Sequence, residues 1–178
     1  MSHILAFTAS ARAGSVSSRL VQLAAETASA KGHTVEIIDL TAPQLQCCKG
    51  CGYCRTNDGC SIKDGFFDKI VGCDGIIAGF PIYFSGIAGQ GKVFIDRLYP
   101  MMDAGFVPRH PGKKVIAIYA QGDSNEKQFI SSINFVNYAF RLSGWKLLDS
   151  VLCAGTAVPG FEVSESIITR VKDAAEKL

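Results

Sequence analysis

HILAFTASARAGSVSSRL, His3 to Leu20, runs from an apolar stretch through a bend crowded with hydroxyls into the start of a helix. HILAFT (His3–Thr8) has the short, β-rich character of a strand. From Leu20 onward, Leu20, Leu23, Ala24, Thr27 and Ala28 recur at helical spacing. The same strand–helix unit then repeats. HTVEIIDL (His33–Leu40) reads as a second strand, and a short helix is predicted from Asp64, a side chain suited to N-capping. CDGIIAGF (Cys73–Phe80) is a buried strand ending at Pro81, and Ile87, Gly91, Phe94, Ile95 and Leu98 give one apolar helical face. After a Gly/Pro-rich surface loop, Asp103–Gly112, comes the strand KVIAIYAQG (Lys114–Gly122), with Phe129, Ile133, Val136 and Phe140 lining its helix. WKLLDSVLC (Trp145–Cys153) is the fifth strand; Ile167, Ile168, Val171, Ala175 and Leu178 mark the closing helix.

Strands separated by helices predict an α/β fold: a parallel sheet, helices on both faces, right-handed connections. Continuously apolar runs such as GIIAGF and KVIAIYA suit strands buried on both sides. With no internal repeat, low-complexity tract or linker, residues 1–178 form one domain carrying a cysteine-rich loop at 47–60.

The chain has 178 residues, 48% hydrophobic and 19% charged, with a net charge of +2. That is enough for a sizeable core. No Lys/Arg run points to nucleic acid or a membrane surface. MSHILAFTAS lacks the charged lead and long apolar stretch of a signal peptide, and Gly and Pro break every apolar run short of a bilayer span. A cytoplasmic address is the default expectation. Thiols there stay reduced, so a dense cysteine run reads first as metal-binding or redox-active.

In open α/β sheets, ligands sit beyond the carboxyl ends of the strands. The bend after the first strand carries Ser10, Ser15, Ser17 and Ser18 with Arg12 among them, just ahead of a helix N-terminus. Free N–H groups and the helix dipole there favour a phosphate. Ser15 or Ser17 could serve merely as a cap, but one cap does not need four hydroxyls and an arginine. G-x-G-x-x-G is missing, which argues against a Rossmann dinucleotide site. GIAGQGKV (Gly86–Val93) nearly matches a nucleotide P-loop but ends in Val93, which has no hydroxyl for Mg²⁺. A P-loop nucleotide binder is therefore a distant alternative. The wider stretch GFPIYFSGIAGQGKVFIDRL (Gly79–Leu98) places a proline turn and two aromatics, Tyr83 and Phe84, where a flat ring could rest.

Five of the seven cysteines fall in CCKGCGYCRTNDGC, Cys47 to Cys60. Cys48, Cys51, Cys54 and Cys60 follow at spacings of two, two and five, and the Asn57-Asp58-Gly59 turn can bring Cys60 back to the others. Structural zinc usually takes two Cys pairs held well apart. The expectation is a 4Fe-4S cluster on these four residues, against a metal-free loop of thiols or a disulfide. Cys47 is spare, and Cys73 and Cys153 are expected to be buried small hydrophobes. His3, His33 and His110 are scattered, and no Ser/His/Asp arrangement supports hydrolysis.

The S-x-R-x-x-S-x-S bend, the strand-P-x-Y turn and the GQ-x-K-x-F-I-D-R helix resemble the NADPH-dependent FMN reductases of the flavodoxin-like fold. Within that superfamily, Cys-x2-Cys-x2-Cys-x5-Cys before I-K-D resembles the iron–sulfur flavoproteins. The resemblance implies a three-layer sandwich around a five-stranded parallel sheet in the order 2-1-3-4-5. It implies that Ser10, Arg12, Ser15, Val16 and Ser17 hold an FMN phosphate. Pro81, Ile82, Tyr83, Phe84, Ser85 and Gly86 would contact the isoalloxazine, and Gln121, Gly122 and Asp123 would border it. It further implies NAD(P)H as co-substrate, a small-molecule or protein acceptor, and a homodimer or larger assembly in which loop Met101–Val107 is a candidate contact. An FMN/iron–sulfur electron carrier without its own nicotinamide site, serving a partner such as a ferredoxin, is the alternative. Two positions depart from the family: Gly65 replaces a second acidic residue, and Gly91 replaces a bulky apolar one. Gly91 is expected to loosen its helix by about 1 kcal/mol relative to Ala.

Overall fold

Along the first strand, Leu5 and Phe7 pack to one side and Ile4 and Ala6 to the other, so a single strand feeds two cores. The computed structural model describes residues 1–42 and 45–178. Its strands are β1 (His3–Thr8), β2 (Thr34–Asp39), β3 (Gly75–Tyr83), the two-residue β4 (Gly86–Ile87), β5 (Lys114–Ala120) and β6 (Lys146–Cys153). β2-β1-β3-β5-β6 pair in parallel, and β4 pairs antiparallel with β3. With β4 set aside, this is the expected order of five parallel strands.

Two helices, α1 (Val16–Ala30) and α6 (Glu165–Ala175), cover one face, where Leu20, Val21 and Val171 meet Ile4, Ile77 and Ile118. Between α1 and α6 in the chain come α2 (Tyr53–Thr56), α3 (Phe66–Gly72), α4 (Gly89–Asp96) and α5 (Ile130–Leu142). Ile70, Phe94 and Phe140 from α3, α4 and α5 cover the other face against Phe7, Phe80 and Tyr119. Burying each such side chain contributes about 1.5–3 kcal/mol. No helix among the described residues is long and apolar enough to cross a membrane.

The third strand does not stop at Pro81. Strand β1 ends where Thr8 faces Gly79, so β3 has no β1 neighbour beyond that point and a proline is tolerated. The chain continues to Tyr83, reverses through Phe84 (φ 47°) and Ser85 (φ 73°), and returns as β4, with Tyr83 opposite Gly86. Two successive positive φ angles define the tight hairpin turn that strand twist prefers. Ile87 therefore belongs to the hairpin, and α4 begins only at Gly89.

Two glycines allow close approach. A Cβ at Gly79 would stand 2.4 Å from Val21 Cγ2 and 3.2 Å from the Ser17 carbonyl, so only glycine lets α1 sit this tightly on β3. At Gly91 a Cβ would lie 2.7 Å from Phe80 Cδ1. The glycine that weakens α4 by propensity thus makes room for a fully buried ring.

Asp64 does more than begin a helix. The N-cap position falls to Gly65 at φ 77°, a left-handed angle that glycine adopts without strain. Asp64 Oδ1 accepts from the Phe66 N–H at 3.2 Å, while both carboxylate oxygens take Arg97 Nη1 and Nη2 at 2.6 and 2.8 Å. The side chains are 6% and 1% exposed. Hydrogen bonding to Arg97 holds the Asp64 pKa down from 3.8 to about 2.

Gly91→Ala is expected to lose about 1 kcal/mol in urea unfolding, because overpacking against Phe80 (about 1–3 kcal/mol) outweighs the helix-propensity gain; a more stable variant contradicts this packing. A depressed carboxylate pKa stabilises above its unfolded value and ceases to do so as pH falls through the folded one. Asp64→Asn should therefore cost about 3–5 kcal/mol at neutral pH. The gap from wild type should narrow by about 2 kcal/mol between pH 4 and pH 2. A gap that stays constant across that window argues against the pair.

Candidate functional site

A cleft of about 210 Å³ opens at the carboxyl edge of β1, β3 and β5. Arg12, Ser15, Val16 and Ser17 form its first wall, at the start of α1. Ser15 is the N-cap; its Oγ accepts from the Ser18 N–H at 3.2 Å and sits 3.3 Å from Ser17 Oγ. The first-turn N–H groups of Val16 and Ser17 have no carbonyl within the helix to bond, which leaves donors free on this wall. Arg12 is exposed beside it, its backbone N–H held by Ser10 Oγ at 3.2 Å.

The second wall is Pro81, Ile82 and Tyr83. Ser10 Oγ lies 3.0 Å from Tyr83 Oη, so the hydroxyl-rich bend and the proline–tyrosine hairpin are bonded to one another. Arg12, Ser15, Val16 and Ser17, expected to hold a phosphate, and Pro81, Ile82 and Tyr83, expected to face a ring, share one cleft. Phe84, at the hairpin tip, points fully into solvent, with Ser85 beside it in the same strained turn. Gly86 faces a different hollow, against Phe135 of α5.

The floor comes from the end of β5. Gly122 lines the cleft, and Gln121 is buried beneath it. Gln121 Nε2 donates to the carbonyls of Asp123 and Asn125 at 3.0 and 2.9 Å; its Oε1 is buried with no partner among the described residues. Asp123 is exposed and shapes the loop, its carboxylate accepting from the Asn125 N–H at 2.7 Å. The sequence reading missed Thr156 and Ala157, which close the cleft from the loop after β6. Thr156 Oγ1 donates to the Gln121 carbonyl at 3.0 Å, and a Cβ on Gly122 would meet Ala157 at 3.2 Å. A signal existed: the loop following a fifth parallel strand opens on the same edge as the others.

A second cavity, of about 380 Å³, gathers Cys48, Cys51, Cys54 and Cys60 and is closed by Arg97 and Tyr99. All seven cysteines are free thiols. Burial raises the Cys54 pKa, with neighbouring Cys48, Cys60 and Cys51 adding to the effect. The hydrogen bond with Ser61 Oγ (3.1 Å) lowers that of Cys51. The sulfurs surround a volume and do not converge on a point. Among the described residues no three or more His, Cys, Asp or Glu are grouped to hold a single ion, as zinc with sulfur at about 2.3 Å would need. The segment is fastened to the loop after α4. Arg109 Nη1 donates to the carbonyls of Cys54 (2.9 Å) and Met102 (2.6 Å), Asp58 meets His110 at 3.1 Å, and Arg55 lies over Phe106 with its centre 4.6 Å from the ring. Cys47 is exposed, while Cys73 and Cys153 are buried as expected, burial pushing the Cys73 thiol up to about 11.

The P-loop reading does not survive. Gly86–Ile87 is strand and Gly89 already helix, so no open loop could wrap a phosphate, and Lys92 is paired with Asp96.

The sequence profile of the NADPH-dependent FMN reductases matches residues 2–141. An iron-sulfur flavoprotein of Methanocaldococcus jannaschii is 31% identical over 118 residues, 65% of this chain and 61% of that protein. The iron-sulfur flavoprotein of Methanosarcina thermophila is 25% identical over 134 residues, 74% of this chain and 70% of its own length. The solved NAD(P)H:quinone oxidoreductase from Methanothermobacter marburgensis superposes with a TM-score of 0.79 over 98% of both chains at 20% identity, a likeness of fold. The matched span holds the hydroxyl-rich bend, the proline–tyrosine hairpin and all four cavity cysteines, and the chain belongs to the NADPH-dependent FMN reductase family.

Proposed function

We propose that this chain is an FMN-dependent oxidoreductase that takes electrons from NAD(P)H and passes them to an acceptor, with a 4Fe-4S cluster on Cys48, Cys51, Cys54 and Cys60. The observation that carries the flavin reading is the 3.0 Å contact between Ser10 and Tyr83, which fuses an anion site and an aromatic corner into one cleft. FMN bound there would supply the chemistry, accepting a hydride and releasing electrons onward. The residues present suit it. Arg12 and the free N–H groups of Val16 and Ser17 would hold the phosphate; Ile82 and Tyr83 would face the ring; the missing side chain of Gly122 leaves space below it. Gln121 Oε1, buried and unpartnered, is an acceptor awaiting a donor. Among the lining residues only Arg12 and Tyr83 are ionisable, which suits hydride transfer, a step that needs no general acid or base.

A cluster would supply one-electron relay. The cysteine cavity suits it better than it suits a single ion, because four thiols bound an extended volume. A reducing, cytoplasmic setting would keep those thiols available. The expected homodimer or larger assembly needs contacts other than the whole Met101–Val107 loop, since Met101 and Met102 are buried in the chain's own core. Phe106 and Val107 remain exposed there, as do Phe84 at the hairpin tip and Phe135 and Tyr138 on α5.

Protein purified without oxygen is expected to show flavin absorbance and to contain iron and acid-labile sulfide. NADPH or NADH should bleach the flavin rapidly. Rapid bleaching without iron removes the cluster alone. Iron and flavin with no bleaching favours the electron carrier that has no nicotinamide site. Protein with no affinity for FMN overturns the reading. Arg12→Ala should weaken FMN binding by about 10- to 100-fold, the worth of one charge-assisted hydrogen bond, without lowering the melting temperature; unchanged FMN affinity excludes Arg12 from the phosphate site.

A further inference from the structure

Arg97 is one of the largest fully buried side chains of the fold and stands at the C-cap of α4. Nη1 donates to Asp64 and to the Gln46 carbonyl (2.8 Å), Nη2 donates to Asp64, and the guanidinium lies 5.2 Å from the Phe66 ring centre. Nε, also buried, has no partner among the described residues. A buried donor left unpaired is destabilising, more so when it belongs to a charged group. A strap between Asp64 and Gln46 does not account for it. Arg97 also lines the cysteine cavity. Cys60 lines the same cavity as Arg97. Cys60 Sγ already accepts the Ile62 N–H at 3.4 Å, so this sulfur is oriented as an acceptor.

We propose that Arg97 is a positioning residue for the cysteine-bound cluster: its Nε–H donates to the Cys60 sulfur, holding that ligand in place and raising the cluster's reduction potential. This role rests on the cluster reading of the cavity. Asp64 offsets the guanidinium charge, so the cavity receives mainly a fixed N–H dipole. Donors aimed at ligand sulfur stabilise the state carrying the extra electron, which is the direction of the shift. Arginine is required because its planar fork can grip Asp64 with two nitrogens while presenting the third elsewhere, which a lysine cannot do. Helix α4 leaves the cleft hairpin at Gly89 and delivers Arg97 about 12 Å further along, so one rigid element serves both sites.

Two variants test this: Arg97→Lys, and the double replacement Asp64→Leu/Arg97→Met, which exchanges a buried ion pair for apolar side chains and guards against a stranded charge. Each is reconstituted with iron and sulfide without oxygen beside the wild type. Iron, FMN and melting temperature are measured, and the cluster and flavin potentials are followed by EPR and absorbance. The expected result is FMN retained, flavin potential unchanged, and a cluster that is either lost or shifted to more negative potential in both variants. A fully loaded cluster with an unchanged potential in either variant overturns the role of Arg97 and leaves the cluster standing. Unfolding of both variants also counts against it, since Arg97 is then a structural strap. A wild type that takes up no iron overturns the cluster reading and this role together.

Discussion

The closeness of α1 to β3 at Gly79 is the constraint on which both walls of the cleft depend. With no Cβ at that position, the Val21 methyl and the Ser17 carbonyl come down onto the strand. The first turn of α1 is thereby held beside the continuation of β3, and Ser10 can reach the Tyr83 hydroxyl. A larger residue would push the start of α1 away from the aromatic hairpin. The local geometry of one glycine thus decides whether two unremarkable features, a capped helix and a strand-end tyrosine, act as one site.

The cysteine segment is joined to this scaffold by charge more than by apolar burial. It contributes only a four-residue helix, none of whose residues is buried. Asp64, Arg97, Arg109 and Arg55 tie its backbone to α4 and the loop beyond. Helix α4 then links the two sites, starting where the hairpin ends and finishing at Arg97. Gly91 in its middle is the concession that lets Phe80 fill the core beneath, and it shows why propensity alone misjudges that position.

The five-strand order was legible because apolar runs of strand length alternate with helical spacing through the whole chain. Most of the two walls was legible too, since the hydroxyl-rich bend and the Pro-Tyr turn are each one unbroken stretch of sequence. Three features were not. The hairpin at Phe84 and Ser85 has no Gly or Asn to announce its left-handed turn, so Ile87 looked helical. Thr156 and Ala157 lie far along the chain and are ordinary residue types; only the sheet brings them to the cleft. Arg97 read as the end of a helix with an apolar face, because its partner Asp64 lies 33 residues earlier in the chain and looked like a simple cap.

The central claim is that this cleft holds a flavin by its phosphate. Titration of the flavin-free wild-type protein with FMN and with riboflavin, which differ only by that group, tests it most directly. An arginine contact and a helix N-terminus together predict FMN binding tighter by roughly 100-fold or more. Equal affinities for the two flavins would contradict the account.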